Sequence, residues 1–441
     1  MADTPNLPAP LDSREQHILE NLQQLRAALN LLKQDRTTYV KSSDVMPLHE
    51  QVLVEVKKLA DIRADKPTED NQVDRVLDGC FQLLSLFFMT IGRNNEAPAA
   101  YALTSTIKRL LDHLIEVDLY SEKDLAHCSQ TLERLRHIVK ASDASYSPYL
   151  TTQLSNRIEV CQISLTTLQE RLARLAPELV PIHEKLISIL RSLSLANTKA
   201  KFSTTEVKGL QAQIQEVDAT RVDGKFVSTN GDIPAGNDDV CALLNKGLRW
   251  SEMVLERKGV FPEPFNSKYQ TLVDIRNKLE KLSLTQAWSL RETDLYDVQR
   301  QLDRIDESRT DGNFVDADGN FAELYVQRTL LYLIRRSYGY IYYLMVSSEP
   351  VSEALLPVYN QLQTLKRCLL EVKESGGVSS PRELYPYSMK LNSLDNMRVD
   401  GKFMVGREIP EGQGSVIELL SECFDLSYDL RVAAENESEK E

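Results

Sequence analysis

The chain has 441 residues, of which 42% are hydrophobic and 27% charged, and its formal net charge at pH 7 is −13. This acidic balance argues against a surface that coats DNA or RNA and against a polybasic membrane contact, because both need clustered lysine and arginine. The length predicts about three ordinary domains or an array of about five smaller units.

The two ends of the chain are expected to lie outside the folded core. Residues 1–12 are small, polar and proline-rich, which predicts a disordered lead, and residues 434–441 are expected to form an acidic, solvated tail. The N-terminal segment lacks the charged and apolar stretches of a signal peptide. The longest apolar run, Leu83 to Ile91, is far shorter than the ~20 residues that a membrane helix needs, so it predicts a buried helix.

Between these ends, apolar residues recur every three or four positions, whereas the alternation typical of strands is scarce. The pattern predicts an all-α fold. Capping boxes indicate helix starts at Ser121 to Asp124, at Ser203 to Glu206, and at Ser380 to Glu383, where Pro381 would occupy the first helical position.

The most informative motif is a nine-residue phrase, D-x-x-R-x-D-G-[KN]-F, that occurs three times. Its arginines are 88 and 89 residues apart, which indicates a duplicated structural unit. The phrase is carried by Asp218, Arg221, Asp223, Gly224 and Phe226, by Asp306, Arg309, Asp311, Gly312 and Phe314, and by Asp395, Arg398, Asp400, Gly401 and Phe403.

Each phrase is expected to end the second helix of a three-helix unit, and a variable loop then leads to a more hydrophobic third helix. The third helices are predicted at 238–257, 322–347 and 414–433. A decayed copy, Leu59 to Asp65, keeps Arg63 but lacks the glycine and the phenylalanine. We therefore expect five units, stacked as an elongated helical bundle or solenoid, at residues 13–95, 96–176, 177–260, 261–348 and 349–433.

The phrase permits a structural and a functional interpretation. In the structural one, the glycine takes a left-handed conformation that ends the helix, Asp218 pairs with Arg221 one turn away, and the phenylalanine packs under the turn. In the functional one, Arg221, Arg309 and Arg398 line a shared groove and bind a polar ligand or an acidic peptide. Convergence of two arginines on one pocket would favour the ligand, whereas pairing of each with its own aspartate would favour the structural role.

Catalytic, cofactor and metal sites are not indicated. All six histidines precede residue 184, so we expect no histidine chemistry at the intact phrases. No zincin, nucleophile-elbow or phosphate-loop motif occurs. The segment Asp316 to Asn320 resembles a calcium loop, but that register places Phe314 first and Tyr325 last, which predicts a polar turn instead.

The cysteines stand singly in apolar helical patterns without a C-x-x-C pair, which predicts reduced core residues in a cytosolic or nuclear protein. They are Cys80, Cys128, Cys161, Cys241, Cys368 and Cys423. Trp250 is likewise expected in the core.

One predicted helix carries neighbouring arginines and tyrosines: Arg335, Arg336, Tyr338, Tyr340, Tyr342 and Tyr343. These side chains belong either to the core and rim of a helix bundle or to a partner-binding patch, since tyrosine and arginine are enriched at interaction hot spots.

The repeated phrase, in an acidic helical chain with a proline-rich start, resembles a fungal family of uncharacterised proteins described only as a domain of unknown function. Its most specific marks are Arg221 to Phe226 and Arg398 to Phe403, and the resemblance covers nearly the whole chain. It implies a soluble protein of the cytoplasm and nucleus, and it implies no activity and no catalytic residues.

The patterns together predict a non-enzymatic helical-repeat scaffold or adaptor that binds protein partners, because stacked helical units present extended surfaces. The alternative hypothesis is a binder of a small polar ligand or an acidic peptide, or an enzyme, that uses the repeated Asp and Arg clusters. We expect no cofactor, no nucleic-acid partner and no membrane contact.

Overall fold

The structure is a computed structural model that describes residues 7–64, 70–142, 146–228, 230–286 and 290–438. Within these residues the fold is all-α, as predicted, with one two-stranded hairpin of β1 (Arg398–Val399) and β2 (Lys402–Phe403). The helices are, in chain order, α1 (Ser13–Gln34), α2 (Ser42–Arg63), α3 (Gln72–Thr90), α4 (Ala100–Val117), α5 (Glu122–Ala141), α6 (Pro148–Ala173), α7 (Val180–Asn197), α8 (Thr204–Asp218), α9 (Asn237–Arg257), α10 (Glu263–Lys281), α11 (Leu295–Glu307), α12 (Leu324–Val346), α13 (Leu356–Glu374), α14 (Tyr385–Asp395) and α15 (Gln413–Ser438).

Capping side chains fix several helix starts. The Ser121 side chain accepts a hydrogen bond from the N–H of Asp124, whose carboxylate accepts one from the N–H of Ser121, so this capping box is confirmed. The box predicted at Ser380 differs. Its hydroxyl caps a short 3-10 turn, Pro381–Leu384, and α14 begins only at Tyr385.

Both ends of the described chain are packed against the fold. Gln72 in α3 donates its backbone N–H to the carbonyl of Pro8 and its side-chain amide to the carbonyl of Leu7. The predicted disordered lead, 1–12, therefore contacts α3 within its described residues. Helix α15 continues to Ser438 and buries Ala434, so the first part of the expected tail, 434–441, is helical.

The described helices fall three by three into the predicted ranges 13–95, 96–176, 177–260, 261–348 and 349–433, with α15 running past the last boundary. In each group the first and third helices pack against each other. Small residues on the third helix allow close approach. The thiol of Cys80 lies 3.6 Å from the carbonyl oxygen of Leu22, and that of Cys423 lies 3.5 Å from the carbonyl oxygen of Leu362.

One hydrophobic core extends from Ile18 to Met345 and joins the first twelve helices, and a smaller core occupies the last three. Helix α12 packs against α4, two groups earlier, and α11 packs against α3. An ion pair between Arg75 and Glu307, at 2.7 Å, also ties the first group to the fourth. The first four groups therefore do not form the expected elongated stack, in which each unit would contact only its neighbours.

Polar contacts join the smaller core to the larger one. The N–H of Glu353 donates to the carbonyl of Thr90 at 2.9 Å, and the carboxylate of Glu353 accepts from Arg291 at 2.7 Å. Gly92 lies at this junction with a φ of 85°, and a Cβ there would stand 2.5 Å from the backbone nitrogen of Ser352. Only glycine fits this position, because a larger residue would clash and be strained.

Most of the predicted core residues are buried. The run from Leu83 to Ile91 is buried throughout in α3 and at its end, and Trp250 is buried beside Tyr325. Cys241 is half-buried and Cys368 is exposed, so the core prediction is wrong for these two cysteines. In the parts of the chain that the structure describes, no helix is long and apolar enough to span a bilayer.

Candidate functional site

The repeated phrase forms the same tight hairpin in each of its three copies. Positive φ at both central residues is typical of a type I′ turn, for which Asp-Gly is a preferred sequence. The φ values are 49° and 77° at Asp223 and Gly224, 49° and 76° at Asp311 and Gly312, and 51° and 76° at Asp400 and Gly401. Flanking residues pair across the turn, as Val222 does with Lys225 and Thr310 with Asn313.

The prediction that the glycine of the phrase ends the preceding helix is wrong. Helices α8, α11 and α14 end at Asp218, Glu307 and Asp395, before the Asp-Gly pair is reached. The aspartate and the glycine instead supply the two left-handed positions of the hairpin, which reverses the chain toward the next helix.

The phenylalanine after each turn is buried, as predicted, and an amide side chain from the next helix holds its backbone. The N–H donates to the amide oxygen at 2.9 Å in each pair: Phe226 with Asn237, Phe314 with Gln327, and Phe403 with Gln413. Both glutamines also donate to the carbonyl of the same phenylalanine, at 3.1 and 2.7 Å. The sequence interpretation missed these amides, although each stands in the first turn of the helix that follows.

Each phrase arginine forms an ion pair with the aspartate three residues before it. The pairs are Arg221 with Asp218, Arg309 with Asp306, and Arg398 with Asp395. Arg309 also donates to the carbonyl of Gly312 at 2.9 Å, which ties the helix end to the turn. The three arginines occupy three separate turns, so the geometry favours the structural interpretation of the phrase over a shared groove.

The middle phrase differs from the other two because α4 packs against it. His113 Nε2 lies 3.2 Å from Asp306 Oδ2, and Arg109 Nη1 lies 3.7 Å from the same oxygen. Glu116 pairs with Arg309 from the other side. Tertiary packing thus brings a histidine from a distant helix to the middle phrase, although the sequence around that phrase has none.

The electrostatics of this cluster favour an ionised aspartate. Burial acts to raise the pKa of Asp306, but the hydrogen bond from His113 and the charges of Arg309 and Arg109 outweigh it and hold the pKa below its usual value. Asp306 is thus a buried anion with three basic neighbours, whereas Asp218 has only Arg221 as an ion-pair partner among the described residues.

Arg63, in the decayed copy, keeps an acidic partner but takes it from other helices. It donates to both carboxylate oxygens of Glu15 in α1 and of Asp74 in α3, with distances of 2.8 to 3.1 Å. Asp65, which completes the copy, lies outside the described residues. Arg63 therefore joins α1, α2 and α3 into one group.

The segment Asp316 to Asn320 forms a polar turn, as predicted. Asp316 Oδ1 accepts hydrogen bonds from the N–H groups of Asp318 and Asn320, each at 2.9 Å. Among the described residues, no group of three or more His, Cys, Asp or Glu side chains is placed to hold a metal ion.

A cleft of about 430 Å³ opens between α4, α5, α7 and α12. Its charged and aromatic lining residues, which define what we call the arginine–tyrosine cleft, are Asp124, His127, Arg191, Tyr332, Arg335, Arg336, Tyr342 and Tyr343. Three arginines face a single acidic side chain in this lining, so the cleft is electropositive in a chain whose net charge is −13.

The three arginines of the cleft differ in their partners. Arg191 pairs with Asp124, and Arg336 donates to the hydroxyl of Tyr340 at 2.9 Å. Arg335 has a buried Nη1 that finds no hydrogen-bond acceptor among the described residues. Burial, with the neighbouring charge of Arg191, lowers the pKa of Arg335 to about 10, so its guanidinium remains charged at neutral pH.

The tyrosines of α12 divide between the core and the cleft. Tyr338 is buried, and its hydroxyl donates to Asp303 at 2.7 Å, so the core interpretation is confirmed for this residue. The hydroxyl of Tyr342 shares a hydrogen bond with Thr131 at 2.7 Å, and Tyr343 is 55% exposed. Both line the cleft, where a partner-binding role stays a prediction.

Comparison with known proteins places the chain among fungal sequences. The model of a family described as a protein of unknown function (DUF2408) matches residues 172–292 and 349–441. A CUB1 family protein of Schizosaccharomyces pombe is 38% identical over 442 residues, which cover 98% of this chain and 95% of the relative. The Cu(2+) suppressing and bleomycin sensitive protein 1 of Saccharomyces cerevisiae is 35% identical over 515 residues, with 98% and 92% covered. No solved structure matches the chain.

Proposed function

The chain belongs to the DUF2408 family, together with the fungal CUB1 proteins, and from this premise we propose that it is a non-enzymatic adaptor that binds an acidic segment of a partner protein in the arginine–tyrosine cleft. Five three-helix units form its frame, and the phrase hairpins join the second helix to the third in the last three. The observation that carries the proposal is the buried Nη1 of Arg335, which has no hydrogen-bond partner in the described part of the chain.

A charged guanidinium with a buried, unpartnered nitrogen is costly, because burial removes water without supplying an acceptor. A carboxylate or a phosphate in the cleft would supply that acceptor, and Arg191 stands close enough to lower the pKa of Arg335 by its charge. Two neighbouring guanidinium groups suit planar or tetrahedral oxyanions, which accept several hydrogen bonds at once.

Apolar and aromatic walls make the cleft suitable for a peptide side chain and its neighbours. Leu110 of α4 and Leu195 of α7 line it, and Tyr343 stands largely exposed. Tyrosine and arginine beside apolar contacts are typical of protein interaction hot spots. The volume of about 430 Å³ fits one or a few side chains rather than a whole folded surface.

The net negative charge of the chain favours a short acidic segment over a polyanion as the ligand. A net charge of −13 repels nucleic acid over its whole length, and this repulsion grows with the charge of the ligand. A peptide with one or two anionic groups meets the local positive charge of the cleft with much less repulsion from the rest of the surface.

The cleft offers binding groups rather than an activated nucleophile. Burial raises the pKa of Cys128, the thiol in its lining, to about 12, so the reactive thiolate is scarce at neutral pH. Free cysteines also fit a reducing compartment, so the partner is to be sought in the cytoplasm and nucleus.

The proposal is tested with the full chain and with fluorescent peptides that carry glutamate, phosphoserine or neutral residues at matched positions. We expect both acidic sets to bind and Arg335→Gln to weaken binding at least ~10-fold, because the buried charge is lost. The matched control is Arg249→Gln, which removes an exposed arginine on α9 and should leave binding unchanged.

A thermal unfolding measurement separates recognition from damage to the fold. Arg335→Gln should be as stable as the parent chain or more stable, because it removes an unpaired buried charge. Equal binding of neutral and acidic peptides, or undiminished binding by a folded Arg335→Gln variant, would overturn the proposal.

A further inference from the structure

A second cavity, of about 520 Å³, lies on the other side of α4 from the arginine–tyrosine cleft. It is lined by residues of α3, α4, α6, α11 and α12, and we call it the glutamine cavity after three of these residues, Gln82, Gln153 and Gln299. We propose that the glutamine cavity binds a small neutral polyol, such as a monosaccharide or a cyclitol.

The charged side chains around the cavity neutralise one another. Arg157 donates to Asp78 at 2.9 Å, and Lys108 pairs with Asp112 at 2.8 Å. Arg109 lies 3.6 Å from Asp303. Each acidic side chain in the lining therefore has a basic partner in the same lining.

The remaining basic residue, Arg75, is neutralised from outside the lining by Glu307, at 2.7 Å. A charged ligand would have to compete with these pairs, because neither sign of charge is left in excess within the cavity. The paired charges around the cavity thus favour a neutral ligand.

Three neutral side chains of the lining carry buried amide oxygens that lack a hydrogen-bond donor. The amide oxygens of Gln82, Gln153 and Gln299 accept no hydrogen bond from any residue that the structure describes. Gln82 is only 6% exposed and Gln299 only 1%, so bulk water does not readily reach either side chain. Gln299 is held in place because its amide nitrogen donates to the hydroxyl of Thr106 at 3.1 Å.

These atoms call for a ligand that both donates and accepts hydrogen bonds. Three amide oxygens need donors, and the Nε of Arg75, which has no partner among the described residues, needs an acceptor. A hydroxyl group serves in both ways, so several hydroxyls on a compact carbon frame match this set. An unmet buried acceptor costs about 1–3 kcal/mol, so each matched hydroxyl contributes to affinity.

The experiment uses the full chain and saturation-transfer NMR with neutral polyols, namely glucose, ribose and myo-inositol. Charged counterparts, glucose 6-phosphate and glucosamine, are measured in parallel. We expect at least one neutral polyol to receive saturation from the protein, and we expect the charged counterparts to bind at least ~10-fold more weakly.

Two variants assign the binding to the cavity. Gln82→Leu and Gln299→Leu keep the side-chain volume close to that of the parent and remove an unpartnered acceptor, so the free protein should be as stable as before or more so. Polyol binding should fall at least ~10-fold in both variants. Gln213→Leu, a change of the same kind at an exposed position on α8, should leave polyol binding unchanged.

Two outcomes would contradict the proposal. One is that no neutral polyol binds at millimolar concentration, which would mean that water alone satisfies the glutamines. The other is equal binding by the parent and both cavity variants, which would mean a non-specific surface effect. Neither outcome depends on the arginine–tyrosine cleft, so this test is independent of the proposed adaptor function.

Discussion

His113 Nε2 lies 3.2 Å from Asp306 Oδ2, although the two residues belong to helices far apart in the chain. The contact makes the middle phrase the anchor between α4 and α11, because both side chains are almost fully buried. The same aspartate in the first intact phrase, Asp218, has a 36% exposed side chain and lacks such a histidine contact in the described structure.

This difference predicts unequal effects of one substitution. Asp306→Ala should destabilise the protein by about 3–5 kcal/mol, because His113 and Arg309 lose their buried carboxylate and keep only the partly exposed Glu116. Asp218→Ala should cost less than about 1 kcal/mol, because its pair with Arg221 is local and partly exposed. Chemical denaturation followed by circular dichroism measures both, and equal losses would refute the anchoring role.

The hairpin geometry predicts a cost for a side chain at its glycine. Gly312→Ala should destabilise by about 1–2 kcal/mol, because φ is 76° there while the space around the new Cβ is sufficient. Gly209→Ala, in the open interior of α8, should instead stabilise by about 0.5–1 kcal/mol. Thermal unfolding of the two variants measures both changes. A lower melting temperature in both would point to steric damage instead.

The amide that holds each phenylalanine is a third test. Gln327→Leu should cost about 2–3 kcal/mol, because the N–H and the carbonyl of Phe314 both lose a buried partner. Gln213→Leu serves as the exposed control. Hydrogen exchange at the N–H of Phe314 should accelerate in the first variant alone, and an unchanged rate would show that the amide is dispensable.

His49 predicts a pH dependence of stability. Burial, with the charge of Arg93, lowers the pKa of His49 to about 4 from the ordinary 6.5. The unfolded chain therefore takes up this proton first, so the stability that the neutral imidazole provides is present above pH 6.5 and is lost as the pH falls toward 4.

Replacement of the imidazole should remove that dependence. His49→Phe, which keeps a ring against Phe88 and Tyr146, should flatten the stability profile between pH 6.5 and 4 by up to about 3 kcal/mol. His137→Phe, at an exposed position, controls for the loss of a histidine as such. Denaturant midpoints across this range measure the profiles, and parallel profiles for His49→Phe and the parent would contradict the prediction.

Glu292, at the junction of the two cores, predicts a stability that changes with pH in the opposite direction. Burial raises its pKa above 4.5, even though hydroxyl groups of Ser348 and Thr90 donate to it. The folded state therefore holds the proton more tightly, so stability from this group is full below pH 4.5 and declines as the pH rises through the folded pKa. Glu292→Gln should raise the melting temperature at pH 7 and leave it unchanged at pH 4, and a lower value at pH 7 would contradict this.

Local patterns predicted the helices well, because helix periodicity and caps depend on near neighbours in the sequence. The third helices expected at 238–257, 322–347 and 414–433 agree closely with the starts of α9, α12 and α15. The Asp-Gly pair was assigned to the wrong structure because the same two residues suit a left-handed helix end and a type I′ hairpin. Only the distance to the preceding helix distinguishes them.

Tertiary features were beyond the sequence pattern. His113 stands on α4, and nothing in its neighbourhood along the chain indicates Asp306 as its partner. For Arg335 and Tyr343 the sequence left open whether they belong to the bundle core and rim or to a partner-binding patch, because the cleft forms only where α4, α5 and α7 pack around α12. Gln82, Gln153 and Gln299 likewise lie on three different helices, and only the tertiary packing brings them to one cavity.

The late position of α12 constrains how the protein is made. This helix completes the larger core by packing against α4, yet α4 leaves the ribosome long before residues 324–346 are translated. The face of α4 that meets α12 therefore remains uncovered through most of synthesis, when exposed apolar surface favours aggregation. A chain that stops short of α12 would be an incomplete core that needs chaperone protection, rather than a smaller folded protein.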